Sequence, residues 1–173
     1  MKDKKTNNSF EQYKRMVKFT GSAVIVLLEL AIYYYVWMNY YNKNMTVAFW
    51  RRGNWLIEGE YLALSLVLHR LYGGLKVGIY KYWALVYSHM ISIIGVNAFS
   101  YVQVVLFDKK MHNPTALFVL TIVDFVMVLV WALVFKKLYA SMFPKRKLLL
   151  IYGKKPMFHL VNRIDTRDDK YEI

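Results

Sequence analysis

Two carboxylic acids stand inside long apolar runs. Glu29 lies near the middle of the run 19–41, and Asp124 is the only ionisable side chain in 115–135. A charge at the centre of a bilayer costs at least roughly 2.5–3.5 kcal/mol, so such residues bind ions, carry protons or pair with neighbours. Two readings follow. Both acids could titrate as part of a transport path, or each could be uncharged or hydrogen-bonded to Ser, Asn, Tyr or Trp of an adjacent helix. The second is the expectation adopted for Glu29 and Asp124. The four histidines, His69, His89, His112 and His159, fall in separate segments with no pair three or four residues apart. That spacing would place two imidazoles on one helical face for a metal. Each is therefore expected to be a satisfied or interfacial histidine, with no metal site.

The remaining reactive chemistry is sparse. Cysteine is absent, which excludes disulfides, thiolate nucleophiles and cysteine metal centres. Gly153-Lys154-Lys155 lacks the further glycines of a dinucleotide-binding turn. No Walker pattern, Gly-x-Ser-x-Gly or His-Glu-x-x-His occurs. No catalytic residue and no cofactor site are expected in this chain.

What must position these residues is a set of apolar helices. Hydrophobic residues make up 57% of the 173, and 15 Tyr, 10 Phe and 5 Trp suit the aromatic belts at membrane interfaces. The formal charge of +13 would also fit nucleic acid. The basic residues, however, sit at the ends of apolar runs, so membrane lipids are the expected partner and nucleic acid is not. Run lengths predict transmembrane helices over 18–41, 55–73, 82–107 and 114–137, each near the ~20 residues needed to cross ~30 Å of hydrocarbon. The second is the most polar, with Glu58 and Glu60 near its start and His69-Arg70 near its end, all expected at the two interfaces. In the third, Ser88, Ser92 and Gly95 share one face suited to close helix packing. Gly73-Gly74 breaks the chain after the second helix, and Pro114 opens the fourth.

With four crossings both termini share a side. That side carries 16 basic residues up to Lys155, against five on the other, so both termini are expected to be cytoplasmic. Trp50, Arg51 and Arg52 in one loop, and Lys145, Arg146 and Lys147 after the last helix, are the candidate interfacial lipid contacts. The organisation read from this is a basic N-terminus over 1–17, a four-helix transmembrane domain over 18–143, and the start of a cytoplasmic α/β domain over 144–173. In the last, 148–152 is expected as a buried strand closed by Gly153, 156–164 as a short helix, and 171–173 as the beginning of a second strand. The fold class is an all-α membrane protein followed by the first strand and helix of a truncated, Rossmann-like domain. An apolar strand with so little to cover it would be an open edge, which implies a fragment of a longer protein.

Four helices, a basic connector and the string RKLLLIYG together resemble the N-terminal portion of the large polyprenyl-phosphate phosphoglycosyl transferases, bacterial sugar transferases of exopolysaccharide and capsule assembly. FWRRGN, LYGGLKVG and RIDTRDDKYEI carry further likeness. The resemblance implies a multi-pass protein of the bacterial cell membrane, in which four helices precede a Rossmann-like domain. A separate catalytic domain follows, with a re-entrant helix and an Asp-Glu dyad. There an aspartate, aided by Mg²⁺, attacks the phosphate of a nucleotide-sugar, and the phosphosugar passes to undecaprenyl phosphate. None of that region falls within 1–173, so the resemblance assigns this chain an anchoring role, with polyprenyl phosphate and a second copy of the chain as candidate partners. Two other functions fit the residues. One is a small proton-coupled transporter using Glu29 and Asp124, as in small multidrug transporters with a glutamate in the first of four helices. The other is a free-standing membrane scaffold or regulator.

Overall fold

The computed structural model describes residues 13–143, together with the backbone of 146–147 and 171–172. Four long helices dominate the described residues. Helix α1 spans Lys14–Val36 and runs on through a π-helical turn, Trp37–Tyr41, into Asn42–Asn44. Helices α2 (Arg51–Tyr72), α3 (Tyr82–Asp108) and α4 (Thr115–Met142) follow. The starts and stops obey local chemistry. Gly73 ends α2 in the left-handed conformation at φ 85°, which glycine reaches without a Cβ penalty. Pro114 precedes α4, and its carbonyl accepts the Phe118 amide at 3.0 Å.

Cross-helix contacts show the helices running antiparallel, each beside the next. Ascending α1, Glu29, Tyr33 and Trp37 meet Ser65, Tyr61 and Asn54, which descend α2. Between α2 and α3, His69 meets His89 and Tyr61 meets Asn97. Asn97 in turn meets Thr121 of α4, and His89 meets Trp131. Finally α4 closes on α1: the Tyr41 hydroxyl accepts the Leu117 amide at one end, and Phe135 packs on Gly21 near the other. The result is an up-down-up-down bundle with α1 beside both α2 and α4.

Two buried apolar clusters fill the interior. One gathers Tyr33, Trp37, Tyr41, Ile57, Tyr61, Val104 and Leu117. The other gathers Ile25, Val26, Val77, Val86, Ile93, Val128 and Trp131 at the opposite end. The connection 73–81 folds back over this second end, burying Val77 to 1% exposure. Outside, Leu27, Leu66, Ile94, Val102, Val119, Val126 and Val134 are exposed, an apolar exterior suited to lipid. The helices Lys14–Asn44, Tyr82–Asp108 and Thr115–Met142 are long and apolar enough to cross a membrane. Helix α2 is 22 residues long but carries Arg51, Arg52, Glu58, Glu60 and Arg70, and does not meet that measure. Four long helices are therefore described, of which three are spans by composition.

The strand expected over 148–152 and the helix over 156–164 lie outside the described residues, as do 1–12 and Lys145. The described strand pairing is a two-residue parallel ladder, Arg146 with Tyr171 and Lys147 with Glu172.

Close approach of α1 and α4 depends on Gly21. A Cβ there would run into the Phe135 ring, and that ring is stacked between Trp131 and Tyr139. Gly59 on α2 has nothing among the described residues within 4 Å of its missing Cβ. The same substitution should thus have opposite signs. Gly21→Ala is expected to destabilise by about 1–3 kcal/mol through overpacking, whereas Gly59→Ala should stabilise by up to about 1 kcal/mol through helix propensity. Thermal unfolding of both variants in one detergent checks the pair.

Candidate functional site: a buried carboxylate-histidine layer

Between the two apolar clusters lies a polar layer at the middle of the bundle. Glu29 comes from α1, Ser65 and His69 from α2, and His89 and Ser92 from α3. Asp124 of α4 is buried nearby, beside Asn97 and between Leu120 of one cluster and Val128 of the other. Glu29 is 1% exposed, and His69, His89 and Asp124 are 0% exposed. Such burial is costly for groups of this polarity unless they satisfy one another.

The geometry shows how far they do. His69 Nε2 and His89 Nδ1 are 2.9 Å apart. Glu29 Oε1 lies 3.4 Å from each of these nitrogens. His69 Nδ1 donates to the Ser65 carbonyl at 2.8 Å, which leaves Nε2 of the neutral ring as the lone-pair atom facing the cluster. The Ser65 hydroxyl reaches Glu29 Oε2 only at 3.5 Å. Among the described residues Glu29 therefore has no short hydrogen bond to either oxygen, and the buried oxygens of Asp124 make no hydrogen bond of good geometry, with the Asn97 side chain their nearest polar neighbour. Asp124 lies within electrostatic reach of Glu29.

Local structure brings His69 in. Gly74 presses on its ring so closely that a Cβ would stand 2.7 Å from His69 Cδ2, and the connection continues into the second apolar cluster through Val77. His69 is thus a correction to the sequence expectation, which places it at an interface beside Arg70. Arg70 is exposed, but the return of the connection over α2 puts His69 inside. His69 and His89 also face each other. They meet across α2 and α3, with Glu29 completing the group. Spacing along one helix carries no sign of this, because each ligand-bearing side chain comes from a different helix. The signal available in the sequence is weaker: three ionisable or imidazole residues, each near the middle or end of an apolar run.

The other candidate residues are dispersed. Trp50 is 86% exposed, and Arg51 and Arg52 are exposed at the start of α2. Phe49 of the same loop packs on Trp37 and Phe107 instead. Cation–π contacts among the described residues are made by Lys14, Lys18 and Lys76. Of Lys145, Arg146 and Lys147, only the backbone ladder of the last two is described. His112 pairs with Asp108 at 2.7 Å near the far end of the bundle. A groove of about 760 Å³ opens between α1 and α2 at the basic end, with Lys14, Arg15 and Lys18 above Phe19, Leu27, Leu62 and Leu66.

Fold and site define a helical membrane protein, an antiparallel bundle with a carboxylate-histidine layer at its centre. Compared with known protein families, curated proteins and solved structures, the chain matches none.

Proposed function

We propose that this chain is the membrane-anchoring module of a phosphoglycosyl transferase, crossing the bacterial cell membrane four times with both ends cytoplasmic. The observation that carries the four crossings is the antiparallel packing of α2. Its Tyr61, Ser65 and His69 sit at the depth of Tyr33 and Glu29 on α1, while Leu66, Val67 and Leu71 face outward. A helix sharing the depth and the apolar exterior of its neighbours shares their solvent. Its buried polar groups turn inward, as intramembrane polar residues do. The transferase assignment itself rests on the likeness of FWRRGN, LYGGLKVG and RKLLLIYG. The groove beside Lys14, Arg15 and Lys18 adds a fitting partner, since a basic mouth over an apolar wall suits an anionic lipid such as a polyprenyl phosphate. Mg²⁺ belongs to the catalytic region that the resemblance implies, outside this chain.

Reporter fusions test the crossings. Fusions after Asn44 and Lys110 should report the outside, and fusions after Gly78 and Ile173 the cytoplasm. A cytoplasmic signal from Asn44 or Lys110 would remove the anchor reading.

A second reading has its own observation in favour: Glu29 and Asp124 are both buried in the bundle within electrostatic reach of each other, as a proton-coupled transporter requires. Against it, the layer is sealed by apolar clusters on both sides. Proton-driven cation efflux by the chain in liposomes, lost in Glu29→Gln, would put the transporter ahead.

A further inference from the structure

We propose that Glu29, His69 and His89 form a binding site for a single divalent first-row transition ion of the zinc class, clamping α1, α2 and α3 together. The donor atoms carry the argument. Glu29 Oε1, His69 Nε2 and His89 Nδ1 are separated by 2.9, 3.4 and 3.4 Å. A circle through three points at those distances has a radius of about 1.9 Å. A point 2.0–2.1 Å from all three, the length of Zn–N and Zn–O bonds, therefore lies slightly off their plane with no movement of the backbone. For contacts made only among protein groups, the two distances to the carboxylate are long. As ligand-to-ligand separations around one ion they are ordinary.

Outer-shell groups fit the same role. Metal-bound histidines commonly donate their other ring nitrogen to a carbonyl or carboxylate, which fixes ring and tautomer. His69 does so to the Ser65 carbonyl at 2.8 Å. For His89, the Gly74 backbone lies beside the ring, while Nε2 itself makes no hydrogen bond of good geometry. Charge balances as well. A divalent ion with the carboxylates of Glu29 and Asp124 is neutral overall, which suits a bundle centre where uncompensated charge is costly. Asp124, buried beside Asn97 and within electrostatic reach of Glu29, then serves as a counter-charge. Two imidazoles and one carboxylate, without thiolate, select zinc, iron(II), cobalt or nickel over Mg²⁺, Ca²⁺ or Cu(I).

The test uses the full chain without a polyhistidine tag, purified in detergent, stripped with a chelator and titrated with Zn²⁺. Native mass spectrometry should count one ion per chain. His69→Gln and His89→Gln should each weaken binding by more than the roughly 10- to 100-fold that loss of an outer-shell partner costs. His112→Gln, in the distant Asp108 pair, should leave it unchanged. Circular dichroism establishes that each variant retains its helices. Zinc-edge absorption of the wild-type protein should show imidazole scattering with N/O ligands near 2.0–2.1 Å, a readout that needs no variant to fold. Substoichiometric Zn²⁺, an edge spectrum without imidazole, or full affinity retained by either glutamine variant overturns the site.

Discussion

Replacing His69 with leucine, in the presence of chelator, is expected to cost about 1–3 kcal/mol of bundle stability for each buried group it leaves without a hydrogen-bond partner. The magnitude comes from what is left behind. Without His69, Glu29 Oε1 loses one of its two imidazole neighbours at 3.4 Å, His89 Nδ1 loses its 2.9 Å contact, and the Ser65 carbonyl loses the ring that donates to it. None of these groups can reach water from a layer that is 0–1% exposed. The decisive comparison is Glu29→Leu/His69→Leu/His89→Leu. When the whole cluster becomes apolar, no orphan remains, and replacement of a buried ionic group by packed hydrophobic residues is commonly neutral or stabilising. The triple variant should therefore recover most of what the single variant loses. At roughly 2–4 °C per kcal/mol for a chain of this size, thermal unfolding in one detergent resolves the two. A triple variant as unstable as His69→Leu would mean that the layer contributes packing rather than mutual satisfaction.

Trp37→Ala should be comparably damaging, at about 3–5 kcal/mol, the range for truncating a large buried aromatic side chain. Trp37 is 1% exposed at the start of the π-helical turn. Its ring stands edge-on to Phe49 at 5.7 Å, and Nε1 donates to Asn54 Oδ1 at 2.9 Å. Asn54 in turn donates to the Phe49 carbonyl, and Asn42 brackets the Phe49 backbone from the other side. One side chain thus ties the end of α1 to the 45–50 loop and the first turns of α2. Trp37→Phe separates the contributions. It keeps much of the packing while leaving Asn54 Oδ1 without its donor, at a cost of roughly 1–3 kcal/mol for a group left unsatisfied. Unfolding measurements that rank Trp37→Ala no worse than Trp37→Phe would show that the hydrogen bond, not the ring, holds this end.

Much of the architecture can be read directly from local sequence. The expected helices 18–41, 55–73, 82–107 and 114–137 correspond to Lys14–Asn44, Arg51–Tyr72, Tyr82–Asp108 and Thr115–Met142, because apolar runs and their breakers act over one or two turns. Ser88 and Ser92 face the interior as their spacing requires, and Gly95 packs against Leu68. The π-helical turn at Trp37–Tyr41 is a different matter. It lets Trp37 and Tyr41 both be buried, and nothing in WMNYY announces it, since the wide turn answers to the partners waiting across the bundle: Asn54, Phe49 and Leu117.

The sequence by itself determined an apolar, helix-rich chain with basic residues at the ends of its runs and two carboxylic acids set in apolar surroundings. Those properties depend on the order of neighbours along the chain, and hydrophobic periodicity, turn residues and charge bias report them locally. Only the tertiary structure decided what Glu29 faces. It lies 60 residues from His89, and His69 lies 20 residues from His89. No periodicity of a single helix links positions so far apart. They meet because antiparallel packing puts the middle of α1 beside the last turns of α2 and the first turns of α3, and because the 73–81 connection folds back to press Gly74 on the His69 ring. A solitary carboxylate and two scattered imidazoles become one buried cluster through that packing alone.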